Sequence, residues 1–346
     1  MLKVGIIGCG KIARVRHIPE YLENPNVEVV AYYNRTFDVA QSYEKTYGGK
    51  AYDSIEELLN SDVDAVSVLV PNKDHAAVTI QALKAGKHVL CEKPMATTLE
   101  DSLEMVKTAR ETGKVLLIGQ NQRLAKSHVK AKEIIQSGEL GEIIAFQTHF
   151  AHPGPEGWTG KKDSWFYDKK VASFGVMADL GVHKTDVLHY LTGQRIIKTF
   201  AELKTLNKKY PNGTPISVDD NAFAIYTLEN GAVGTMHVSW TNYGEEDNST
   251  IIYLEKGKIR CYDDDKYSLI VENSDGTSIN YILDMLTSNK EQTTGGRTST
   301  GVVDEFINRI LTGRPSLLEG ESIIDSMKVI FANEISDKNS SIVEIK

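Results

Sequence analysis

Cysteine is scarce in this chain, since its 346 residues include only three, Cys9, Cys91 and Cys261. They lie far apart and are odd in number, so they form neither a disulfide framework nor a CxxC pair. Disulfides persist in oxidising compartments, whereas cytosolic proteins keep their thiols reduced. The sequence therefore predicts a protein of the reducing cytoplasm.

Long apolar runs, internal repeats and low-complexity tracts are also absent. No run approaches the roughly 18 residues of a membrane-spanning helix, and the N-terminus leads straight into a strand, so we expect no signal peptide. A net charge of −8 and a pI near 5.7 argue against non-specific binding to nucleic acid or to an anionic membrane. With 41% hydrophobic and 25% charged residues, the length indicates about two globular domains.

A glycine-rich motif follows the first predicted strand, residues 3–7. It reads Gly8-Cys9-Gly10-Lys11-Ile12-Ala13, a G-x-G-x-x-A pattern between that strand and a helical stretch that we expect to extend to Pro19. The first glycine permits a tight turn, the second lets the backbone approach a pyrophosphate, and the alanine allows close packing of helix and strand. The helix N-terminus offers N–H groups to the phosphates. The motif predicts a dinucleotide site.

The end of the second predicted strand, residues 27–33, should contain the group that reads the adenosine ribose. An acidic residue at this place would bind the 2′-hydroxyl of NAD, but the chain has Asn34-Arg35-Thr36. No carboxylate repels a 2′-phosphate, and Arg35 could pair with one, which favours NADP. The alternative is that Asn34 binds the ribose of NAD while Arg35 stacks on the adenine.

Strands alternate with helices through the first third of the chain. Residues 64–70 form a β-branched run, typical of a strand buried on both faces, and a helix is expected over 76–85. An earlier helix, 54–59, would begin at a cap on Asp53 or Ser54. This alternation predicts a right-handed, doubly wound parallel sheet, and we set the domain at residues 1–122.

Polar residues follow three predicted strands of this sheet, at the carboxyl ends where ligands bind. Pro71 to His75 follow the first, Glu92-Lys93-Pro94 the second, and Asn121 to Arg123 the third. A charged Glu-Lys pair beside a buried strand is costly unless it faces a cleft, and Pro94 fixes the direction in which the chain leaves. The alternative is an ordinary solvated loop.

Beyond residue 122 the predicted strands become longer, and we expect an α+β domain over 123–346 with a largely antiparallel sheet. The predicted strands span residues 142–149, 196–206, 221–228, 232–240, 249–254 and 258–262. Asn230-Gly231 is a strong signal for a hairpin turn.

One face of such a sheet can stay open, so we expect it to meet a second subunit in a homodimer or homotetramer. Two C-terminal helices, 302–311 and 322–333, either complete this domain or pack back on the first.

One predicted helix, residues 176–191, carries three titratable side chains at helical spacing. Asp179 and His183 are four residues apart, and Asp186 follows three residues later, so all three would share one face. A carboxylate beside an imidazole orients the ring and favours its protonated form. The alternative is an ordinary helix surface.

Taken in order, four motifs resemble those of the Gfo/Idh/MocA family, the glucose–fructose oxidoreductase and inositol dehydrogenase group. They are G-x-G-x-x-A, V-P-N-x-x-H, E-K-P and D-x-G-x-H, and the resemblance extends over nearly the whole chain. It implies an N-terminal Rossmann domain and a C-terminal domain with an open-faced sheet. It also implies that Lys93, Asp179 and His183 are the catalytic residues.

The same resemblance extends the expected cofactor site beyond the glycine-rich motif. The residues expected to contact NAD(P) are Gly8, Gly10, Lys11, Ile12, Ala13, Asn34, Arg35, Pro71, Asn72, His75, Glu92, Lys93, Asn121 and Trp165. Asn121 and Arg123 are similar to an Asn-Arg pair of the family, with Gln122 between them here. Ser173-Phe174 stands where the family often has glycines, and we expect Phe174 to narrow the pocket.

Other side chains have open assignments. Trp158, Trp165, Phe166 and Tyr167 either stack on the nicotinamide or a sugar, or belong to the core. The basic side chains of Arg123, Lys161, Lys162 and Lys184 either hold a phosphate or carboxylate, or are solvated. His149 and His152 flank a strand end, but no third ligand accompanies them, so we expect no metal site.

The implied reaction is hydride transfer between a nicotinamide and a secondary alcohol or ketone of a sugar, sugar derivative or cyclic polyol. We assign His183 as the base, because an imidazole titrates near neutral pH, Asp179 as its orienting group, and Lys93 as a donor to the substrate oxygen. The alternative makes Lys93 the proton-transfer group. Two other functions stay open: a glycosidase or epimerase that recycles its cofactor, and a regulator that binds a dinucleotide without turnover.

Overall fold

Two β-sheets organise the chain in the computed structural model, which describes residues 1–160, 163–287 and 299–346. The first belongs to a unit formed by Met1–Asn121 and Lys290–Ile324. The second belongs to a unit formed by Gln122–Asn289 and Asp325–Lys346.

The first sheet has six parallel strands in the order β3-β2-β1-β4-β5-β6. The strands are β1 (Leu2–Ile7), β2 (Val27–Tyr33), β3 (Lys50–Tyr52), β4 (Ala65–Val68), β5 (His88–Cys91) and β6 (Leu116–Ile118). Every residue of β4 and β6 is buried, as expected where helices cover both faces of a parallel sheet. This is the strand order of a doubly wound dinucleotide-binding fold, and the predicted fold is confirmed.

Helices connect these strands, and two of them begin at side-chain caps. The connecting helices are α1 (Ile18–Glu23), α2 (Phe37–Tyr47), α3 (Ile55–Leu59), α4 (His75–Lys84) and α5 (Leu99–Thr112). Two C-terminal helices, α10 (Val302–Thr312) and α11 (Gly320–Asn339), come later in the chain. Ser54 caps α3 by accepting the N–H of Glu57, and Thr98 caps α5 by accepting that of Asp101.

The helical segment after Gly10 continues beyond Pro19, where we expected it to end. A π-helical turn, Ala13–His17, leads into α1, and Pro19 lies in the first turn of α1. At that position the missing N–H of proline leaves no intrahelical bond unmade. The prediction of an end at Pro19 was therefore wrong.

The second sheet has nine strands in the order β14-β13-β12-β11-β7-β10-β9-β8-β15. They are β7 (Ile143–Ala151), β8 (Ile196–Lys204), β9 (Asn221–Leu228), β10 (Val233–Ser239), β11 (Thr250–Leu254), β12 (Gly257–Cys261), β13 (Leu269–Asn273), β14 (Ser278–Tyr281) and β15 (Val343–Glu344). The pair β7 and β10 is parallel, and the other neighbours are antiparallel. The prediction of a largely antiparallel sheet is confirmed, with β13, β14 and β15 added to the six predicted strands.

The helices of this unit are α6 (Lys126–Ser137), α7 (Pro155–Thr159), α8 (Lys169–Ala172) and α9 (Val182–Thr192). The single helix expected over 176–191 is instead a π-helical turn, Met177–Gly181, followed by α9. A π turn holds one more residue than an α turn, so α-helical spacing no longer describes the path from Asp179 to His183. Among the described residues, no helix is both long and apolar enough to cross a membrane.

Candidate active site

The glycine-rich turn has the backbone geometry that a pyrophosphate site requires. Gly8 has a φ of +105°, and a Cβ there would lie 2.5 Å from the carbonyl oxygen of Leu69, so only glycine fits. A Cβ on Gly10 would meet no atom within 4 Å, which leaves space beside the backbone. Ala13 is fully buried, whereas Lys11 and Ile12 are half-buried. The turn fits a dinucleotide.

Of the two side chains that follow β2, Asn34 is hydrogen-bonded within the protein and Arg35 is exposed. Asn34 Oδ1 accepts the N–H of Cys9 at 3.2 Å, and Asn34 Nδ2 donates to the Thr36 carbonyl at 3.0 Å. Arg35 is exposed. The amide of Asn34 therefore holds the loop to the glycine-rich turn, and Arg35 has the greater freedom to meet a ligand.

His75 links the segment after β4 to the segment after β5. Its Nδ1 lies 2.7 Å from the carbonyl oxygen of Pro94, and its Nε2 lies 2.9 Å from that of Val70. Burial lowers the pKa of His75, although both carbonyls favour a protonated ring. Pro71 and the buried Asn72 lie in the same segment. These contacts bring together the first two groups of strand-end residues predicted from the sequence.

Glu92 is a buried carboxylate directly after β5. Its Oε1 lies 2.9 Å from His17 Nε2 and 3.9 Å from Arg16 Nη1, and its Oε2 accepts the N–H of Lys93 at 3.1 Å. Burial alone would raise the pKa of Glu92. The hydrogen bond from His17 and the charges of His17, Arg16 and Lys93 outweigh burial and hold the pKa at about 2. The ionised carboxylate therefore fixes the backbone of Lys93, whose side chain is half-buried.

Two residues of this network, Arg16 and His17, were missed by the sequence analysis. His17 Nδ1 lies 3.3 Å from Ser67 Oγ, which in turn lies 2.8 Å from the Tyr21 hydroxyl. The available signal was the position of these two polar residues between the apolar Val15 and Ile18 in a helical segment. Such residues, when buried, need a hydrogen-bonding group on another element.

The second unit holds Asp179 between two aromatic side chains at strand ends. Trp240 Nε1 donates to Asp179 Oδ2 at 3.1 Å, and His152 Nε2 lies 3.9 Å from the same oxygen. His152 Nδ1 accepts the N–H of Gly154 at 2.9 Å, so the hydrogen of a neutral ring is on Nε2, facing the carboxylate. Neither contact was predicted from the sequence. They follow from the parallel pairing of β7 with β10, which sets Ala151 beside Ser239.

His183 lies at the beginning of α9 and is 7% exposed. The Phe150 ring has its centre 6.1 Å from that of His183 and 5.8 Å from that of His152. The arrangement therefore contains two imidazoles close to one aromatic ring and a carboxylate 3.9 Å from one of them, groups that are suited to proton transfer.

Asp186 does not join this cluster, contrary to the expectation of a shared face. Arg123 donates to it through Nε at 2.7 Å and Nη2 at 2.6 Å, and Ser326 Oγ donates at 3.0 Å. Both charged groups are buried. Arg123 is therefore neither a solvated side chain nor a cation poised for a substrate anion, because a buried carboxylate holds it in a bidentate pair.

Lys184 is fully buried, so the expectation of a solvated or anion-holding side chain was wrong. Its Nζ donates to Asn248 Oδ1 at 3.0 Å and to the Asn248 carbonyl at 3.2 Å. Burial lowers the pKa of Lys184 to about 7. Phe174 is also buried, with its ring centre 5.9 Å from that of Phe331, and its narrowing of the pocket stays a prediction.

The remaining candidates are distributed as follows. Trp165 is half-buried and stacks on Phe166 at 4.0 Å, and Asn121 is half-buried at the start of a 3₁₀ turn. His149 lies edge-on to His237 at 4.6 Å. Lys161, Lys162 and the side chain of Trp158 lie outside the described residues. Within those residues, no group of three or more His, Cys, Asp or Glu side chains could hold a metal ion.

Comparison with known proteins gives consistent results for both units. Residues 2–120 match the oxidoreductase family with an NAD-binding Rossmann fold, and residues 128–260 match the GFO/IDH/MocA C-terminal domain. The chain is 35% identical over 234 residues to glucose-6-phosphate 3-dehydrogenase of Bacillus subtilis, covering 66% of this chain and 65% of that protein, just under two thirds. It is 32% identical over 251 residues to D-glucoside 3-dehydrogenase of Escherichia coli, covering 69% and 70%.

A solved structure extends the likeness in fold to the whole chain. Levoglucosan dehydrogenase in complex with NADH and levoglucosan superposes with a TM-score of 0.85 at 21% identity, covering 99% of each chain. At that identity the likeness concerns the fold.

Proposed function

Since the chain belongs to the Gfo/Idh/MocA family of oxidoreductases, we propose that it transfers a hydride between NAD(P) and a ring secondary alcohol of a sugar. The observation that carries the proposal is one chain holding a dinucleotide turn, a lysine whose backbone N–H is bonded directly after β5, and a half-buried carboxylate with a histidine 3.9 Å away. In this proposal residues 1–122 bind the cofactor, and residues 123–346 bind the substrate and a second subunit.

Relatives suggest both the substrate class and the position of the reaction. Two of them are named as 3-dehydrogenases, one acting on glucose 6-phosphate and one on a D-glucoside. A third is a levoglucosan dehydrogenase. We therefore propose a glucopyranose derivative as substrate, oxidised at the hydroxyl of carbon 3. Of the four basic candidates, the two that the structure describes, Arg123 and Lys184, are already held by Asp186 and Asn248, so neither is assigned to a phosphate of the sugar.

In this mechanism a nicotinamide cofactor held by the turn at Gly8 and Gly10 would supply the hydride acceptor for the alcohol carbon. His183 removes the hydroxyl proton, and Asp179 stabilises the imidazolium that forms. Lys93 donates a hydrogen bond to the substrate oxygen, where charge develops. The ionised Glu92 supports this role by fixing the Lys93 backbone. The alternative, in which Lys93 itself takes the proton, is tested below.

We propose NADP as the preferred cofactor. Arg35 is exposed after β2, no acidic side chain stands there, and the Asn34 amide is engaged with Cys9 and Thr36. An arginine pairs well with a 2′-phosphate. We further propose a cytoplasmic location for a chain whose three cysteines are all buried thiols, which cell fractionation would test.

The test uses methyl glucoside deuterated at carbon 3, and the same sugar deuterated at carbon 2 as its control. We expect the purified protein to transfer deuterium from carbon 3 to the cofactor, detected by mass spectrometry of the reduced dinucleotide, and none from carbon 2. Lys93→Met should abolish the transfer. Turnover with no net reduction of added cofactor, by a protein that retains its own, would support the recycling alternative. Absence of binding to either dinucleotide would contradict the proposal.

A further inference from the structure

The turn that carries Asp179 begins at residues 175–177, and one distant residue accepts all three of their N–H groups. Gly175 donates to Asp219 Oδ1 at 2.7 Å, and Met177 donates to Asp219 Oδ2 at 2.8 Å. Val176 donates to the Asp219 carbonyl oxygen at 2.9 Å. The first N–H groups of a helix have no acceptor within it, so these three bonds fix both the position and the direction of the helix start.

The fit between the two segments leaves no room for adjustment. A Cβ on Gly175 would lie 1.9 Å from the Asp219 carbonyl oxygen, which is a backbone atom, and 2.8 Å from Val218 Cγ2. Asp219 is only 7% exposed, so water cannot replace its carboxylate as acceptor. The start of the turn therefore cannot shift without losing bonds inside the protein.

The residue after Asp219 holds Trp240, the side chain that binds the Asp179 carboxylate. The Asp220 carbonyl accepts the N–H of Trp240 at 2.8 Å, and the Trp240 indole donates to Asp179. The side chain of Asp219 thus anchors the helix start, whereas Trp240 is held by the backbone carbonyl of Asp220, which the substitution Asp220→Asn leaves in place.

Resting on the proposed function, we propose that Asp219 is a positioning residue that sets the geometry of Asp179 and His183. It touches neither substrate nor cofactor in this role. It acts by holding the first turn of the segment from which both side chains project. A misplacement of about 1 Å in a catalytic group can lower a rate about 10²-fold, so this anchor should matter for turnover more than for binding.

The charge state of Asp219 suits the role. Burial raises the pKa of Asp219 to about 6, the N–H groups of Gly175 and Met177 oppose the rise, and the charge of Asp220 adds to it. The carboxyl is therefore ionised at neutral pH, where both oxygens accept. An asparagine in its place would offer one accepting oxygen and one NH₂ group, which cannot accept an N–H.

Asp220 provides a matched control. It is fully buried, and its carboxylate accepts the N–H groups of Leu206 at 2.8 Å, Asn207 at 2.7 Å and Lys208 at 2.6 Å. Asp219→Asn and Asp220→Asn thus remove the same charge at adjacent positions, but each releases a different segment. Amide hydrogen exchange read by mass spectrometry should show faster exchange at 175–177 in the first variant and at 206–208 in the second.

The experiment compares kcat, sugar KM and cofactor Kd in the two variants. We expect Asp219→Asn to lower kcat about 10- to 100-fold with the cofactor Kd unchanged, and Asp220→Asn to keep kcat within about threefold of wild type. Unchanged kcat in Asp219→Asn despite faster exchange at 175–177, or equal loss in both asparagine variants, would overturn the inference.

Two further outcomes keep this test separate from the proposed function. If the wild-type protein turns over no sugar, the proposed function fails. Hydrogen exchange then tests the role of Asp219 by itself, because unaltered exchange at 175–177 in Asp219→Asn would show that Asp219 does not hold this turn. If that variant does not fold, exchange in the wild type decides. Fast exchange of these three amides there would overturn the inference, and protection equal to that of the sheet would support it.

Discussion

Glu92 carries a negative charge at a position that is only 8% exposed. An isolated carboxylate there would be strongly disfavoured, so its charge depends on His17, Arg16 and the N–H of Lys93. The pKa of Glu92 falls from about 4.5 to about 2 as a result. A depressed pKa means that the ionised form stabilises the folded state. This stabilisation is present above about pH 4.5 and is lost as the pH falls towards 2.

We therefore predict that the free energy of unfolding of Glu92→Gln falls less than that of the wild type as the pH is lowered. The shift corresponds to roughly 3 kcal/mol, so the wild-type urea midpoint should fall more steeply than that of the variant between about pH 5 and pH 3. Glu100→Gln, at an exposed carboxylate of α5, should keep the wild-type slope. Parallel slopes in wild type and Glu92→Gln would show that Glu92 is not stabilised as an ion.

A substitution at His183 tests which residue takes the proton. If it is the base, His183→Ala should lower kcat roughly 10²- to 10⁴-fold, and added imidazole should restore part of the rate. His189→Gln serves as the control, because His189 lies on the same helix but contacts Ser326 and the N–H of Ile196. A near-wild-type rate in His183→Ala would transfer the role of base to Lys93.

A substitution at Arg35 tests the proposed preference for NADP. A charge-assisted hydrogen bond contributes about 1.5–3 kcal/mol, so Arg35→Ala should raise the Kd for NADP(H) about 10- to 100-fold and leave that for NAD(H) nearly unchanged. Lys45→Ala, at an exposed cation of the following helix α2, is the control. Equal changes for both dinucleotides would indicate that Arg35 contacts the shared part of the cofactor.

At the scale of a single element, α5 shows how a local signal sets a helix start. Thr98 is extended, its side chain accepts the N–H of Asp101 at 3.0 Å, and the helix ends at Gly113 in the left-handed conformation. We predict that Thr98→Ala lowers the free energy of unfolding by about 1 kcal/mol without changing turnover. Thr98→Ser should keep the wild-type urea midpoint. An equal loss in the serine variant would implicate the threonine methyl group and not the cap.

The segment from Asp179 to His183 shows the limit of local signals. Its sequence is compatible with a regular helix, and the π turn arises where the helix start is held by Asp219 and the Asp179 side chain by Trp240. Both contacts come from residues more than 35 positions away in sequence. The helix start and the Asp179 side chain are thus both held by residues distant in sequence, which a local helix pattern does not reveal.

At the scale of the whole molecule, the open face of the second sheet remains to be explained. Phe223 and Ile225 on β9 and Val233 on β10 are 43%, 49% and 47% exposed. The antiparallel register sets His237 beside Phe223 and Thr235 beside Ile225, so these side chains share one face. Contiguous exposed apolar surface of this kind marks a protein–protein contact.

We predict that this face joins two or more copies of the chain. Light scattering should give a mass that is a multiple of 38.4 kDa, and Ile225→Glu should reduce it to a monomer because a charge would be buried in the contact. Leu103→Glu, which changes an exposed leucine of α5, should leave the mass unchanged. A wild-type mass of 38.4 kDa would exclude the assembly.

Local pattern alone was sufficient for much of the architecture. The strands β2 and β9 have the predicted bounds, because β-branched and alternating apolar residues specify extended, buried segments. Gly8, which tolerates a φ of +105°, and the turn at Asn230-Gly231 were equally readable, since each depends on the conformational range of one or two residues. The order of motifs along the chain then identified the family.

Tertiary structure alone decided which polar groups meet. The pairs Arg123–Asp186, His152–Asp179 and Asp219–Met177 join residues that are far apart in sequence. Their approach depends on the order and register of strands, which no local pattern encodes. Burial then makes each pairing obligatory, because a polar group removed from water must find its hydrogen bonds within the protein.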